Sequence, residues 1–247
     1  MRKPRGILLS GPPGTGKTLI ARTISEILNV QPKMIRGPEI FSRFLGESEE
    51  KIRALFADAR RDQEMLGDQS KLHIIIFDEL DSICKRRTHC DESTRDSVQD
   101  SVTTQLLAEI DGLRPLDNIL IIGTTNMLAT IEPALLRPGR IEVVVEVGLP
   151  DDDARLQIFD IYMKNLLQNG LVESDVDVDT IIRAAKGLTG AHIERIVRMA
   201  IINAMRRDVL SRGRLNISEH EGEQLRVCNL DFKDALTKIF LPKHIEL

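Results

Sequence analysis

A glycine-rich stretch near the start of the sequence has the residue types and spacing that bind phosphate. Residues 11–18 read Gly-Pro-Pro-Gly-Thr-Gly-Lys-Thr, after an apolar run and before a helix-favouring stretch. Such a loop directs backbone N–H groups into one concavity at a helix N-terminus, where the helix dipole adds positive charge. Lys17 then reaches the β- and γ-phosphates of a nucleotide, and the Thr18 hydroxyl ligates the magnesium ion that bridges them. The structural alternative is a plain turn between a strand and a helix.

Two adjacent carboxylates follow an apolar run further along the chain. Residues 72–77 are apolar except for His73, and the run ends at Asp78 and Glu79. A continuous run of this length is typical of a central parallel strand, and ligands of open α/β sheets collect at the carboxyl ends of such strands. We expect Asp78 to hold magnesium through its water shell and Glu79 to orient the attacking water. The alternative is that the acids cap a short helix.

Three more polar side chains follow predicted strands or turns. Asn126 comes shortly after the buried run 119–122, where its amide can bond the attacking water and the γ-phosphate; otherwise it is a turn residue that bonds its own backbone. Arg137 and Arg140 lie on a Pro-Gly turn. They are either solvated or act as arginine fingers on a neighbouring subunit, a role worth about 10³ to 10⁵ in rate.

Length, composition and net charge limit the classes of protein to which this chain can belong. The chain has 247 residues with 42% hydrophobic content, enough for one large domain or one domain plus a smaller one. With 34 basic and 38 acidic residues the net charge is -4, which indicates neither nucleic-acid binding nor disorder. The start does not resemble a signal peptide, and no apolar run approaches ~18 residues. We therefore expect a cytoplasmic protein without a membrane span of its own.

The spacing of the three cysteines does not indicate a metal site. Cys84, Cys90 and Cys228 are odd in number and unevenly spaced, which is typical of reduced thiols. Cys84, His89 and Cys90 match no common zinc spacing and have no fourth ligand nearby. The basic, polar segment 85–93 is either solvated surface or a loop that faces a substrate.

The hydrophobic pattern divides the chain after residue 150. Residues 1–150 predict an α/β fold, a P-loop NTPase with a parallel sheet flanked by helices, and residues 151–247 predict a small all-helical domain. The helix that begins at Lys17 is expected to place one apolar stripe on the sheet. That stripe consists of Ile20, Ala21, Ile24, Ile27 and Leu28.

Together these motifs resemble the AAA+ ATPases, and among them the AAA branch. Residues 11–18 are similar to Walker A, residues 74–79 to Walker B, and Asn126 to sensor 1. Arg137 and Arg140 resemble the arginine-finger pair of this family. Residues 189–191, Thr-Gly-Ala, resemble its lid turn, with threonine where many relatives have serine. The resemblance implies that the small all-helical domain, residues 151–247, is the lid.

Residues 44–59, 72–79 and 148–151 resemble the first ATPase domain of the vesicle-fusing ATPases, the N-ethylmaleimide-sensitive fusion factors. The resemblance implies that ATP or ADP and Mg²⁺ are cofactors and that the full-length protein is a homo-hexamer. It also implies hydrolysis that pulls apart SNARE complexes presented by SNAP adaptors, with no nucleic acid and no direct membrane insertion. Membranes would be reached only through partners. A second pore loop would fall within 85–93.

The resemblance assigns a role to each site residue. The nucleotide would be bound by Gly11, Pro12, Pro13, Gly14, Thr15, Gly16, Lys17, Thr18, Leu19, Tyr162, Gly190 and Ala191, between the sheet and the lid. Thr18 and Asp78 would bind the metal, and Glu79, Asn126, Arg137 and Arg140 would be catalytic. Arg43, Phe44, Leu45 and Gly46 would form the pore loop that grips the substrate.

Three departures from the family pattern carry expectations of their own. Thr15 stands where animal members carry the cysteine behind their sensitivity to alkylation, so we expect ATPase activity that resists mild alkylation. Residues 127–130, Met-Leu-Ala-Thr, replace the usual Arg-Pro-Asp after sensor 1. Tyr162 stands where relatives often have a histidine near the adenine; it either stacks on the base or is a half-buried lid residue.

The sequence leaves the substrate open. Because the chain begins at the first strand, we expect an excised domain that binds nucleotide weakly and is monomeric or loosely associated. Two alternatives to SNARE disassembly are another unfolding or microtubule-severing module and a structural ring domain that only binds nucleotide. Glu79, Asn126, Arg137 and Arg140 argue against the structural ring.

Overall fold

The computed structural model describes residues 4–41, 46–86, 94–112, 116–212 and 226–240. The chain separates into two compact units, Met1–Gly148 and Leu149–Leu247. The boundary predicted from the sequence lies two residues further along, after residue 150. Each unit has its own apolar core.

A five-stranded sheet forms the centre of the first unit. The strands are β1 (Gly6–Ser10), β2 (Lys33–Arg36), β3 (His73–Asp78), β4 (Ile119–Thr125) and β5 (Val143–Glu146). Their order is β2-β3-β4-β1-β5, and every pair is parallel. The apolar runs that predicted buried central strands became β3 and β4, which confirms the predicted parallel α/β sheet. All five strands therefore end at the same edge of the sheet.

Helices connect the strands of the first unit. They are α1 (Lys17–Ile27), α2 (Gly37–Ile40), α3 (Glu47–Leu66), α4 (Leu80–Ile83) and α5 (Thr94–Asp111). Short 3₁₀ segments cover Gly67–Gln69, Leu128–Thr130 and Pro133–Leu136. The α3 and α5 helices share one apolar cluster with Leu8, Ile75 and Ile121 of the sheet. The alternate strand residues, such as Leu9 and Ile122, point to the other face of the sheet and form a second cluster that includes Ala21 of α1. Helices thus cover both faces of the sheet.

The predicted apolar stripe of α1 is only partly correct. Ala21 is fully buried, but Ile20 is 37% and Ile27 is 78% exposed. The buried positions of this helix are Lys17, Ala21 and Ser25, one residue every four, and the Ser25 hydroxyl donates to the Ala21 carbonyl. The small side chains of Ala21 and Ser25 face the sheet, Ile24 packs beside them against the same apolar cluster, and Ile20 and Ile27 lie toward solvent.

The second unit is helical, as predicted. It contains α6 (Asp152–Gln168), α7 (Val178–Ala184), α8 (Gly190–Arg212) and α9 (Asn229–Phe240), and within the described part of this unit no strand forms. Asp151 and Asp177 cap α6 and α7, because their carboxylates accept from the N–H groups of Ala154 and Thr180 at 2.8 and 3.1 Å. No helix in the described ranges combines the length and apolar content needed to cross a bilayer.

Candidate functional site

The glycine-rich loop joins the carboxyl end of β1 to the first turn of α1. Gly16, the residue before the helix, has a φ of 92°, which is strained for any residue with a Cβ. A Cβ on Gly11 would lie 2.1 Å from the carbonyl oxygen of Val147, so only glycine fits there. The N–H groups of the first helical turn have no partners within the helix. The loop therefore presents free donors at the positive end of α1.

The Lys17 side chain contacts the glycine-rich loop. Its side chain is buried, and its Nζ donates to the carbonyl oxygens of Gly11 and Pro12 at 2.8 and 2.7 Å. Burial lowers the pKa of Lys17, while the nearby Asp78 and Asp81 carboxylates act in the opposite direction. Phosphate oxygens are stronger acceptors than neutral carbonyls. A phosphate oxygen would therefore be a stronger acceptor for this ammonium group than the two neutral carbonyls that it contacts.

Asp78 connects the loop to two neighbouring strands. Its Oδ1 accepts from the hydroxyl of Thr18 at 2.8 Å and from the hydroxyl of Thr124 at 2.7 Å. Thr18 belongs to α1, and Thr124 lies near the carboxyl end of β4, the strand beside β3. Both donors are therefore fixed by secondary structure.

These oxygens fit a magnesium ion. A hydroxyl and a carboxylate are ligands that Mg²⁺ accepts, and Mg²⁺ usually takes only one or two protein ligands, with water and phosphate oxygens completing its shell. Across the described ranges, no three His, Cys, Asp or Glu side chains gather into a metal site. Thr18 and Asp78 thus suit an ion held mainly by a nucleotide and water, and do not form a complete protein cage.

Glu79 follows Asp78 in a left-handed backbone conformation, with a φ of 58°. Its N–H donates to the hydroxyl of Thr124 at 3.1 Å, and its carbonyl accepts from the Ser82 hydroxyl at 2.8 Å. A Cβ at Gly37 would lie 2.7 Å from that carbonyl, so the turn is closely surrounded. The Glu79 side chain is exposed and does not cap α4. The Glu79 carboxylate therefore does not act as the helix cap that the alternative interpretation assigned to it.

Asn126 is exposed directly after β4. The turn there is formed by its neighbour: the Thr125 hydroxyl donates to Asp81 at 2.8 Å and accepts from the N–H of Met127 at 3.0 Å. Within the part of the chain that the structure describes, no hydrogen bond occupies the Asn126 amide. It is therefore available to a ligand at the same edge of the sheet as Asp78.

The two arginines of the Pro-Gly turn differ in their surroundings. Arg140 is half-buried; its Nε donates to Asp111 at 2.8 Å, Nη2 pairs with the same carboxylate, and Nη1 bonds the Ala134 carbonyl. These hydrogen bonds hold the pKa of Asp111 below its usual range, against a smaller opposing effect of burial. Arg137 is exposed, and no described residue pairs with it. Among the described residues, Arg140 therefore has hydrogen-bond partners for its guanidinium group, and Arg137 has none.

The remaining predicted residues lie elsewhere or outside the described ranges. Leu19 is 69% exposed on α1. In the second unit, Tyr162 is 41% exposed, and its hydroxyl lies 3.5 Å from Glu194. Gly190 begins α8, followed by the exposed Ala191. In the predicted pore loop, residues 43–45 are not described, and Gly46 precedes α3 with a φ of 90°. Residues 87–93, including His89 and Cys90, are also outside the described ranges.

Sequence reasoning missed Thr124, Asp81 and Asp111. A threonine in an apolar strand looks like an ordinary β-branched strand residue. Only its place at the carboxyl end of a strand could have marked it as a polar contact. Asp81 and Asp111 lie in helices, where acidic residues are commonly solvated.

Two cysteines are described, and they differ in exposure. Cys84 is fully buried, and burial raises the pKa of its thiol to about 12. Cys228 is half-buried, with its Sγ 2.7 Å from Nη1 of Arg207. Thr15 provides no thiol in the loop, and its hydroxyl donates to the Pro12 carbonyl at 3.0 Å.

We therefore expect nucleotide binding to survive treatment with N-ethylmaleimide. Because the thiolate is the nucleophile, Cys84 should remain unmodified at neutral pH in the folded chain and react only after unfolding in urea. Mass spectrometry of the treated chain, before and after unfolding, measures this. Loss of nucleotide binding after treatment, or modification of Cys84 in the folded chain, would contradict the prediction.

Comparisons with known proteins identify the family of the chain. Residues 7–149 match the family described as "ATPase family associated with various cellular activities (AAA)". The chain is 47% identical over 236 residues to a vesicle-fusing ATPase of Dictyostelium discoideum, covering 95% of this chain and 32% of that protein. It is 45% identical to vesicle-fusing ATPases of Arabidopsis thaliana and Caenorhabditis elegans, covering 95% and 98% of this chain and 31% and 29% of those proteins.

The chain thus spans about a third of the length of these relatives. The matched residues contain the whole sheet except Gly6, the glycine-rich loop and both strand ends that precede Glu79 and Asn126. Membership of this family implies nucleotide binding. The chain belongs to the ATPase family associated with various cellular activities, the AAA family.

Proposed function

We propose that this chain is an ATP-hydrolysing module of a vesicle-fusing ATPase, which disassembles SNARE complexes presented by SNAP adaptors. The observation that carries the proposal is the contact between the Thr18 hydroxyl and Asp78, which joins the phosphate-binding loop to the end of β3. The names of its relatives, vesicle-fusing ATPases, support the choice of substrate.

In this proposal the residues of the loop bind and orient the triphosphate. The N–H groups at the start of α1 hold the β- and γ-phosphates, and Lys17 exchanges its two carbonyl acceptors for phosphate oxygens. Thr18 and Asp78 would hold a magnesium ion, which neutralises charge on the phosphates when bound. Leu19, Tyr162, Gly190 and Ala191 are proposed to contact the rest of the nucleotide.

The water is activated by residues at the ends of β3 and β4. Glu79 accepts a proton from the attacking water, and the Asn126 amide orients that water against the γ-phosphate. Both side chains are exposed at the edge where the loop lies, as this role requires. Arg137 and Arg140 serve as the finger pair for a neighbouring subunit of a homo-hexamer. Arg140 has to exchange its contact with Asp111 to reach a phosphate.

Ring assembly converts hydrolysis into force on the substrate. Arg43, Phe44, Leu45 and Gly46 grip it in the central pore, and residues 85–93 form a second contact. The ring acts in the cytoplasm and reaches membranes through its SNAP and SNARE partners.

Nucleotide binding is tested first with Lys17→Ala. Because two charge-assisted contacts with the phosphates are lost, we expect the affinity for ATP to fall by about 10²-fold. Isothermal titration measures it. Lys51→Ala is the control, since Lys51 also donates from Nζ to a backbone carbonyl, that of Glu39, but lies outside the loop. Equal affinities of the Lys17 variant and the wild type would contradict the assigned role.

The substrate is tested with the full-length protein. Purified SNARE complexes, SNAP adaptors and ATP are combined, and disassembly is followed by the separation of labelled SNARE chains. ATP hydrolysis without disassembly, but with unfolding of other proteins or severing of microtubules, would favour the alternative substrate class. Binding of ATP without any hydrolysis in assembled rings would favour the structural ring.

A further inference from the structure

We infer that Thr124 is a positioning residue that sets the orientations of Asp78 and Glu79 together; this rests on the proposed function. Its hydroxyl donates to Oδ1 of Asp78 at 2.7 Å and accepts from the N–H of Glu79 at 3.1 Å. One hydroxyl group therefore binds the side chain of the metal-binding residue and the backbone of the next residue.

The first contact fixes the Asp78 carboxylate. Oδ1 accepts from both Thr18 and Thr124, so this oxygen is occupied by two hydroxyl donors. The rotation of the carboxylate is thereby fixed, and Oδ2 is directed away from these donors. In the described part of the chain no hydrogen bond occupies Oδ2, which remains available to a water of the magnesium shell.

The second contact fixes the backbone at Glu79. A φ of 58° is unfavourable for glutamate and persists only where the surroundings impose it. The Thr124 hydroxyl holds the N–H of this residue, while the Ser82 hydroxyl and N–H hold its carbonyl at 2.8 and 2.9 Å. The direction in which the Glu79 side chain leaves the sheet therefore depends on Thr124.

Because Thr124 is buried, the loss of its two hydrogen bonds would cost more free energy than at an exposed position. Thr124 is 2% exposed, so water cannot replace its hydroxyl if that group is removed. The neighbouring Gly123 is closely packed, because a Cβ there would lie 2.9 Å from Leu8 and 3.0 Å from Leu80.

The test measures nucleotide affinity in Mg²⁺ and in EDTA, using this chain and ATP. In Thr124→Val, which keeps the side-chain shape without the hydroxyl, we expect unchanged affinity in EDTA and a gain from Mg²⁺ that is smaller by about tenfold. Thr124→Ser retains the hydroxyl and should restore the gain. Thr103→Val is the matched control, since Thr103 is a buried threonine whose hydroxyl donates to the carbonyls of Ile83 and Gln99.

The outcomes separate this inference from the proposed function. A wild-type chain that binds no ATP in either buffer overturns both. A Thr124→Val chain with the wild-type gain overturns the inference alone, as does a Thr124→Ser chain that loses as much as the valine variant. A wild-type chain that binds ATP equally with and without Mg²⁺ also overturns it. If Thr124→Val does not fold, as judged by circular dichroism, Thr124→Ala takes its place.

Discussion

Replacement of Arg137 by alanine is expected to slow ATP hydrolysis in assembled rings by about 10³- to 10⁵-fold. The arginine is exposed and pairs with no described residue, so in the proposed ring its guanidinium would act on the γ-phosphate of a neighbour without first breaking a contact with the described residues. For the same reason the free energy of unfolding should change by less than about 0.5 kcal/mol. Steady-state hydrolysis by the full-length protein and thermal unfolding of this chain measure the two effects.

Arg140→Ala is the informative comparison. It removes the partner of Asp111 and the donor to the Ala134 carbonyl, so it should lower the free energy of unfolding by about 1 kcal/mol in addition to any loss of rate. If Arg137→Ala destabilises the chain as much as Arg140→Ala, then Arg137 has a structural role. An unchanged rate in rings of Arg137→Ala would rule out its action as a finger.

Glu79→Gln is expected to lower the rate of hydrolysis by about 10²- to 10⁴-fold while ATP binding is retained. Glutamine has the shape of glutamate but cannot accept the proton of the attacking water. The backbone contacts of Glu79 to Thr124 and Ser82 do not involve the side chain, so the turn should stay intact. Single-turnover hydrolysis and titration with ATP separate the two effects. Hydrolysis at the wild-type rate would refute the assigned base.

Mixed rings test both residues in one experiment. A subunit with Arg137→Ala keeps its own Glu79, and a subunit with Glu79→Gln keeps its own Arg137. If the arginine acts on a neighbouring site, rings assembled from both variants regain activity, because some interfaces combine the intact glutamate with the intact arginine. If the arginine acts within its own subunit, the mixed rings stay inactive.

The sheet was predictable from the sequence because its central strands are unusually uniform. The apolar runs before Asp78 and Asn126 have no polar alternation, so only strands covered on both faces suit them. The helix α1 was harder. Its stripe was predicted from large apolar residues, yet Ala21 and Ser25 face the sheet, because a close approach of backbones requires small side chains.

The sequence predicted the positions of those residues of the candidate site that belong to a local motif. The loop, Asp78 and Glu79 follow from spacing and from their places at strand ends. The contact of Arg140 with Asp111 spans 29 residues, and nothing near either residue indicates the other. Thr124 was missed because threonine is common in strands for its shape alone. In both cases the side chain bonds a residue that is distant in the sequence.

The links from Thr18 to Asp78 and from Asp78 to Thr124 span 60 and 46 residues of chain. Contacts of such separation form late in folding, because the entropy of closing long loops must first be overcome. A chain with only its local helices formed therefore has no complete nucleotide site. In the proposed function, ATP would bind only chains in which these strands have come together and would stabilise them by mass action, so that the ligand would discriminate between completely and incompletely folded molecules.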